Sequence, residues 1–151
     1  MLEKIMRTYY DEIFRYCWHH VGSRAAAEDL CQDTFVSFIE HYEEYHRILK
    51  MKNCLYTIAK NKCRDYYKKQ VPLLVETVPE RTDGSSMEDD IVMQQMILAL
   101  PEELKEAVIL RYLQNLKYKD IAAVLNISPS LAKYRVKRAL AQLSEMERGI
   151  L

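Results

Sequence analysis

Glycine and proline are scarce in this chain, which contains 3 Gly and 4 Pro among 151 residues. Because all-β folds use such turn residues freely, their scarcity favours an all-α fold. The chain also lacks any run of about 18 apolar residues, which excludes a transmembrane helix and direct membrane insertion. The N-terminal residues carry mixed charges rather than the apolar core of a signal peptide, so we expect a cytoplasmic protein.

The spacing of the potential metal ligands argues against a metal site. None of the four cysteines lies in a C-x-x-C pair, which excludes a zinc finger and a disulfide framework and predicts reduced thiols in the core. His41 and His46 miss the i, i+4 spacing that places two ligands on one helix face. We therefore expect no metal, no cofactor and no catalytic residue, and we do not expect an enzyme.

Charge is balanced over the whole chain, with 22 basic and 22 acidic residues, but it is segregated along the sequence. Acids dominate residues 28–44, with six and no Lys or Arg, and residues 71–90, with six and one Arg. Bases dominate residues 47–69, with eight and one acid, and residues 111–138, with seven and one acid. Such blocks indicate separate binding surfaces, although solvated helix faces give the same pattern.

A break in helical periodicity divides the chain into two halves. Residues 71–87 contain two prolines, an Asp-Gly pair and two serines, which predicts a flexible linker. Two small helical domains are therefore predicted, at residues 1–70 and 88–151. In the first domain Ser23 is placed to cap a helix. Its apolar spacing predicts three helices, at residues 2–20, 24–45 and 51–69.

The second domain has the residue pattern of a helix-turn-helix. Helices are predicted at residues 87–98, 101–113, 117–125 and 129–147, with Pro101 and Pro129 at first helical positions. Asn115 and Asn126 tolerate left-handed turns, and Ser128 is a good N-cap. Two short helices, a tight turn and a basic last helix together indicate DNA binding, the alternative being an ordinary helical hairpin with a charged face.

The last helix carries a polar stripe near its start. Four residues follow i, i+3, i+4, i+7 spacing and so share one face, which is suited to the major groove: Ser130, Lys133, Tyr134 and Lys137. The other basic block has different chemistry, because tyrosines interleave with the bases of residues 52–69. Aromatic rings of this kind can stack on unpaired bases, but they can equally close a helical core.

Four segments closely resemble conserved blocks of bacterial RNA polymerase sigma factors. They are residues 27–35 (AEDLCQDTF), 55–69 (LYTIAKNKCRDYYKK), 100–112 (LPEELKEAVILRY) and 116–139. The blocks occur in the order typical of the family and span most of the chain. Its small size, with two helical domains and a linker, is similar to the extracytoplasmic-function (ECF) group of the sigma-70 family.

The resemblance implies a transcription initiation factor that binds core RNA polymerase and directs it to specific promoters. It implies that the acidic helix docks on the clamp helices of the largest polymerase subunit, through Asp29, Gln32, Asp33 and Phe35. The third helix would help to melt and capture the −10 element, through Asn61 and Arg64 with the flanking Lys52, Tyr56, Lys60 and Lys68. The helix-turn-helix would read the −35 element, through Lys133, Arg135 and Arg138 beside Ser130, Tyr134 and Lys137.

The same resemblance adds an anti-sigma factor as a further partner, because members of this group are commonly held inactive by one. Two other classes of protein remain open. One is a stand-alone helix-turn-helix regulator that does not bind polymerase, although such a protein has no need of an acidic helix at residues 28–45. The other is a sigma-like interaction protein that binds polymerase without opening promoters.

The chain departs from the family pattern at several positions. Cys54 stands where members often carry an aromatic residue, and Asn115 and Asn126 stand where turn glycines are common. Leu131 and Tyr134 occupy positions that are often small and polar. We therefore expect an atypical −35 sequence, and Leu131 is able to contact a thymine methyl.

Overall fold

The computed structural model describes residues 2–45, 50–69 and 87–150, and all regular structure in these ranges is helical. This confirms the predicted all-α fold. The chain divides into two compact units. Among the described residues, no helix combines the length and apolar character needed to cross a bilayer. Of the predicted linker only Met87 is described, and the predicted domain bounds therefore remain predictions.

The N-terminal unit consists of four helices: α1 (Leu2–Val21), α2 (Arg24–Glu40), α3 (Tyr42–Tyr45) and α4 (Met51–Lys69). Helices α1, α2 and α4 pack against one another in all three pairings. Apolar side chains from each of them are fully or almost fully buried and form the core, among them Ile13, Tyr16, Phe35, Phe38, Leu55 and Ala59. This core fixes which faces of α2 and α4 are left for solvent.

A left-handed glycine and a serine cap join α1 to α2. Gly22 has φ 68°, a conformation that glycine adopts without steric penalty. The Ser23 side chain accepts a hydrogen bond from the Ala26 amide at 3.3 Å, which confirms the predicted cap. Helix α2 then ends earlier than predicted, because the chain turns at His41, whose amide bonds to the Ser37 carbonyl.

The C-terminal unit contains α5 (Met87–Leu98), α6 (Glu102–Val108), the first five residues of α7 (Tyr118–Leu125) and α8 (Pro129–Ile150). A π-helical segment, Ile109–Leu113, continues α6. Helix α8 packs along α6 and also contacts α5. The prediction for the start of α6 was one residue early, because Pro101 has ψ 147° and precedes the helix as its cap.

Hydrogen bonds close the turn between the π-helical segment and α7. The amides of Gln114 and Leu116 donate to the carbonyls of Ile109 and Leu110, each at 3.0 Å. Arg111 donates from Nη1 to the Leu116 carbonyl at 3.0 Å. Its guanidinium also lies 4.3 Å from the centre of the Tyr118 ring, a cation–π contact.

Local backbone chemistry also fixes the turn between α7 and α8. Asn126 adopts the left-handed conformation, with φ 57° and ψ 49°, and the Ile127 amide donates to the Ala122 carbonyl at 3.0 Å. The Ser128 hydroxyl accepts from the Leu131 amide at 3.1 Å, and α8 begins at Pro129. The predicted turn and cap are therefore confirmed. Four small or branched side chains fill the interior of this motif: Ile121, Ala122, Ala132 and Val136.

Candidate nucleic-acid and protein interfaces

The start of α8 presents the polar stripe expected from the sequence. Ser130, Lys133, Tyr134 and Lys137 are all exposed, and Tyr134, at 58%, is the most exposed large apolar residue among those whose burial the structure describes. Ala132 and Val136, on the opposite side of the helix, are buried in the core. The stripe therefore faces solvent. A helix exposed in this way can enter the major groove with its first turns.

The two arginines expected on this helix differ in their placement. Arg138 is exposed beside Lys137. The Arg135 side chain is only 19% exposed, and its Nη2 atom lies 3.9 Å from a carboxylate oxygen of Glu103 on α6. The Arg135 side chain therefore points towards α6 and does not belong to the exposed stripe. The sequence offered no sign of this pairing, because Glu103 lies far along the chain.

Three of the residues predicted on α4 share an exposed face. Asn61, Arg64 and Lys68 follow i, i+3, i+7 spacing and are all exposed, with the carboxylate of Asp65 exposed beside them. Two of the three are cationic, and the third offers an amide with both donor and acceptor groups. This face can bind a phosphate backbone and form hydrogen bonds with unpaired bases.

The remaining residues predicted on α4 lie elsewhere. Tyr56 is fully buried, its hydroxyl donates to a carboxylate oxygen of Glu12 at 2.7 Å, and its ring meets the edge of Tyr16. Lys52 lies 3.8 Å from the same carboxylate, and Lys60 is buried. The structure does not bring these three to the exposed face, and for Tyr56 it favours the alternative that the tyrosines close the core.

Helix α2 presents an acidic face with apolar edges. Asp29, Gln32 and Asp33 are exposed, as predicted from the sequence blocks. The same face carries Val36, 54% exposed, and Ile39, 37% exposed, which sequence reasoning did not single out. Their signal was present in the sequence, because both lie off the buried stripe of the helix. Exposed apolar groups next to acids are typical of a surface that binds a partner protein.

Beneath this face lies an aromatic contact between α1 and α2. Phe35 is almost fully buried and stacks on Tyr10, with ring centres 6.0 Å apart, so the structure does not bring it to the exposed face. The Cys31 thiol points to the Tyr10 carbonyl, 3.7 Å away. Burial raises the pKa of the Cys31 thiol, which therefore stays protonated at neutral pH. The side of α2 opposite the acidic face is therefore packed against α1.

Comparison with known proteins assigns both units to one family. Residues 5–71 match the family model of sigma-70 region 2, and residues 91–143 match that of sigma-70 region 4. The RNA polymerase sigma factor CarQ of Myxococcus xanthus is 31% identical, over 83% of this chain and 77% of the relative. The ECF RNA polymerase sigma factor SigW of Bacillus subtilis is 26% identical, over 97% and 88%.

A solved structure supports the same fold. The sigma factor RpoE in its complex with the anti-sigma factor NepR from Bartonella quintana superposes with a TM-score of 0.81 at 21% identity, over 97% of this chain and 96% of that one. The chain therefore belongs to the ECF group of the sigma-70 family of RNA polymerase sigma factors. It is a promoter-specific initiation factor that binds core RNA polymerase and promoter DNA, and sigma factors are non-catalytic.

Proposed function

We propose that three exposed surfaces divide the work of initiation. The acidic face of α2 (Asp29, Gln32, Asp33, Val36 and Ile39) docks on the clamp helices of the largest polymerase subunit. The basic face of α4 (Asn61, Arg64 and Lys68) captures the −10 element as a partly melted strand. The exposed stripe of α8 (Ser130, Lys133, Tyr134 and Lys137) reads the −35 element in duplex DNA.

The observation that carries this proposal is the acidic face of α2. It combines carboxylates with two exposed aliphatic side chains, and it belongs to a different unit from the helix-turn-helix. A stand-alone regulator that dimerises on an operator has no use for such a face. An initiation factor does, because its DNA-reading helices must be held on polymerase.

Size-exclusion chromatography with bacterial core polymerase at moderate salt tests the docking face. We expect wild-type protein to co-elute with the core enzyme and the Asp29→Lys/Asp33→Lys variant to elute alone, because two carboxylates become cations. The matched control is Glu145→Lys/Glu147→Lys, which makes the same change of charge at exposed positions of α8. We expect this control to co-elute normally. Loss of co-elution in both variants would point to bulk charge, and failure of folded wild-type protein to co-elute would refute the proposal.

The remaining roles follow from that assignment. We infer that this chain contributes binding and positioning only, while polymerase performs the chemistry in the cytoplasm. Free protein is expected to bind DNA weakly, because its net charge is zero and polymerase must fix the spacing of its two DNA-binding faces. We also propose an anti-sigma factor as a regulatory partner, as in the Bartonella quintana complex, and expect it to compete with core polymerase.

A further inference from the structure

The exposed start of α8 lacks the side-chain types that usually read adenine and cytosine. Residues 129–137 contain no Asn, Gln, Asp or Glu, so the side chains that pair with adenine or accept from cytosine are missing. Arg135, which could read guanine through two hydrogen bonds, is instead directed to Glu103. The exposed polar groups that remain on these two turns are Ser130, Lys133 and Lys137 with the Tyr134 hydroxyl.

Two exposed apolar side chains occupy this same part of the helix. Leu131 is 37% exposed and Tyr134 is 58% exposed. They are three residues apart, so they are neighbours on the helix surface, separated by about 4.5 Å along the axis at a rise of 1.5 Å per residue. That separation is comparable to the spacing of about 3.4 Å between successive bases of one strand. Both side chains can therefore reach the same base pair or neighbouring ones.

Exposed cations lie next to this apolar pair. Helical spacing places Lys133 and Lys137 on the side of Tyr134 away from Leu131, and Arg138 about one turn beyond Tyr134 in line with the pair. In a major groove, such cations can contact phosphates while the neighbouring apolar side chains face base edges. The largest apolar group that a base presents in that groove is the C5 methyl of thymine.

We propose that Leu131 and Tyr134 form an apolar reading pair that recognises thymine methyl groups in the −35 element. This inference rests on the proposed function, in which α8 reads duplex DNA. It makes the promoter preference of this protein depend on thymine at one or two neighbouring positions. It also gives different roles to the residues of α8: the cations contribute affinity for DNA, and the apolar pair distinguishes thymine from the other bases.

Replacing thymine by deoxyuridine tests the proposal, because it removes the methyl group and leaves every hydrogen-bonding group in place. A duplex library randomised in its −35 and −10 regions is first selected with the holoenzyme formed by this chain and core polymerase. Each thymine of the selected −35 region is then replaced singly by deoxyuridine. For wild-type holoenzyme we expect at least one replacement to weaken binding about fourfold, the effect of exposing roughly one buried methylene-sized group.

Three variants identify the residue responsible. In Leu131→Ala or Tyr134→Ala holoenzyme, the weakening at the sensitive thymine is expected to disappear. The matched control is Leu140→Ala, which truncates a leucine of nearly equal exposure, 38%, farther along the same helix. Its response to deoxyuridine is expected to equal that of wild type. Because all three side chains are exposed, circular dichroism should show unchanged folding.

The outcomes distinguish this inference from the function on which it rests. A selected −35 region without thymine, or one insensitive to every deoxyuridine replacement, would overturn the apolar reading pair while leaving the initiation factor intact. So would full sensitivity retained in both Leu131→Ala and Tyr134→Ala. If no holoenzyme forms, or if it enriches no sequence, the proposed function itself fails.

Discussion

Helices α4 and α8 are both basic, and the sequence suggests nucleic-acid binding for both. They differ in how many of their predicted binding residues are exposed. On α8 the predicted stripe is exposed as a whole, and only Arg135 is directed elsewhere. On α4 half of the predicted residues are exposed, while Tyr56 forms part of the core. A run of charge therefore identifies a basic helix, but packing decides which residues of that helix can touch a ligand.

The largest effect expected from this comparison concerns the two tyrosines. Tyr56→Ala should lower the free energy of unfolding of the N-terminal unit by about 3–5 kcal/mol, as is usual for truncating a buried aromatic side chain. Tyr134→Ala should change stability by less than about 0.5 kcal/mol, because its side chain is exposed. Trp18, the only tryptophan, lies buried in α1, so its fluorescence during urea unfolding reports on this unit, while far-UV circular dichroism follows the loss of helix in the C-terminal unit that carries Tyr134. Equal destabilisation by both changes would contradict the assigned placements.

A smaller effect is expected when Tyr56 loses only its hydroxyl. Tyr56→Phe should cost about 1.5 kcal/mol, the lower end for a hydrogen bond to a charged group, because Glu12 keeps partial access to water. The control is Tyr66→Phe on the same helix, at a half-buried position where little change is expected. Tryptophan fluorescence again measures the difference. An unchanged midpoint for Tyr56→Phe would mean that the bond to Glu12 contributes nothing to the fold.

The capping serine of α8 should affect the other unit. Ser128→Ala removes the acceptor of the Leu131 amide and should destabilise the C-terminal unit by about 1 kcal/mol. Ser130→Ala, two residues further along, serves as the control because that residue lies within α8, past the cap. Far-UV circular dichroism should show the loss of helix at lower urea, while the fluorescence midpoint of Trp18 stays in place. A shift of both signals together would show that the two units unfold cooperatively.

The smallest expected effect distinguishes a free cation from a paired one on α8. In holoenzyme, Lys137→Ala should flatten the slope of log affinity against log salt by about 0.9, the value for one phosphate contact on duplex DNA. Arg135→Ala should leave the slope unchanged, because its guanidinium faces Glu103. Filter binding to the selected promoter at several salt concentrations measures both. An equal change in slope for both variants would mean that Arg135 leaves Glu103 when DNA binds.

Local chemistry explains which features were predictable from the sequence. Asn126, Ser128 and Pro129 act on their immediate neighbours, so the helix-turn-helix followed from residue types alone, as did the bounds of α4. The break at His41 did not, because no glycine or proline marks it. The π-helical segment was also missed, since it lies within a continuous helical pattern.

The candidate interfaces show the same division. The cations of the α8 stripe were predicted because helical spacing alone places them on one face, and the acids of α2 because their segment resembles a conserved sigma-factor block. The burial of Phe35 and Tyr56 depends on contacts with α1, which no short pattern records. The pairing of Arg135 with Glu103 likewise requires α6 and α8 to be packed together first.

The turns on either side of α7 have a consequence for the rate at which DNA is recognised. The amides of Gln114, Leu116 and Ile127 all donate to carbonyls, and Arg111 braces the first turn from its side. Amide hydrogens held in this way should exchange slowly with solvent, as in a continuous helix and not as in a loop. Helix α8 is then already folded when it reaches a promoter. The association rate is therefore limited by encounter and orientation, and not by folding of the motif on DNA.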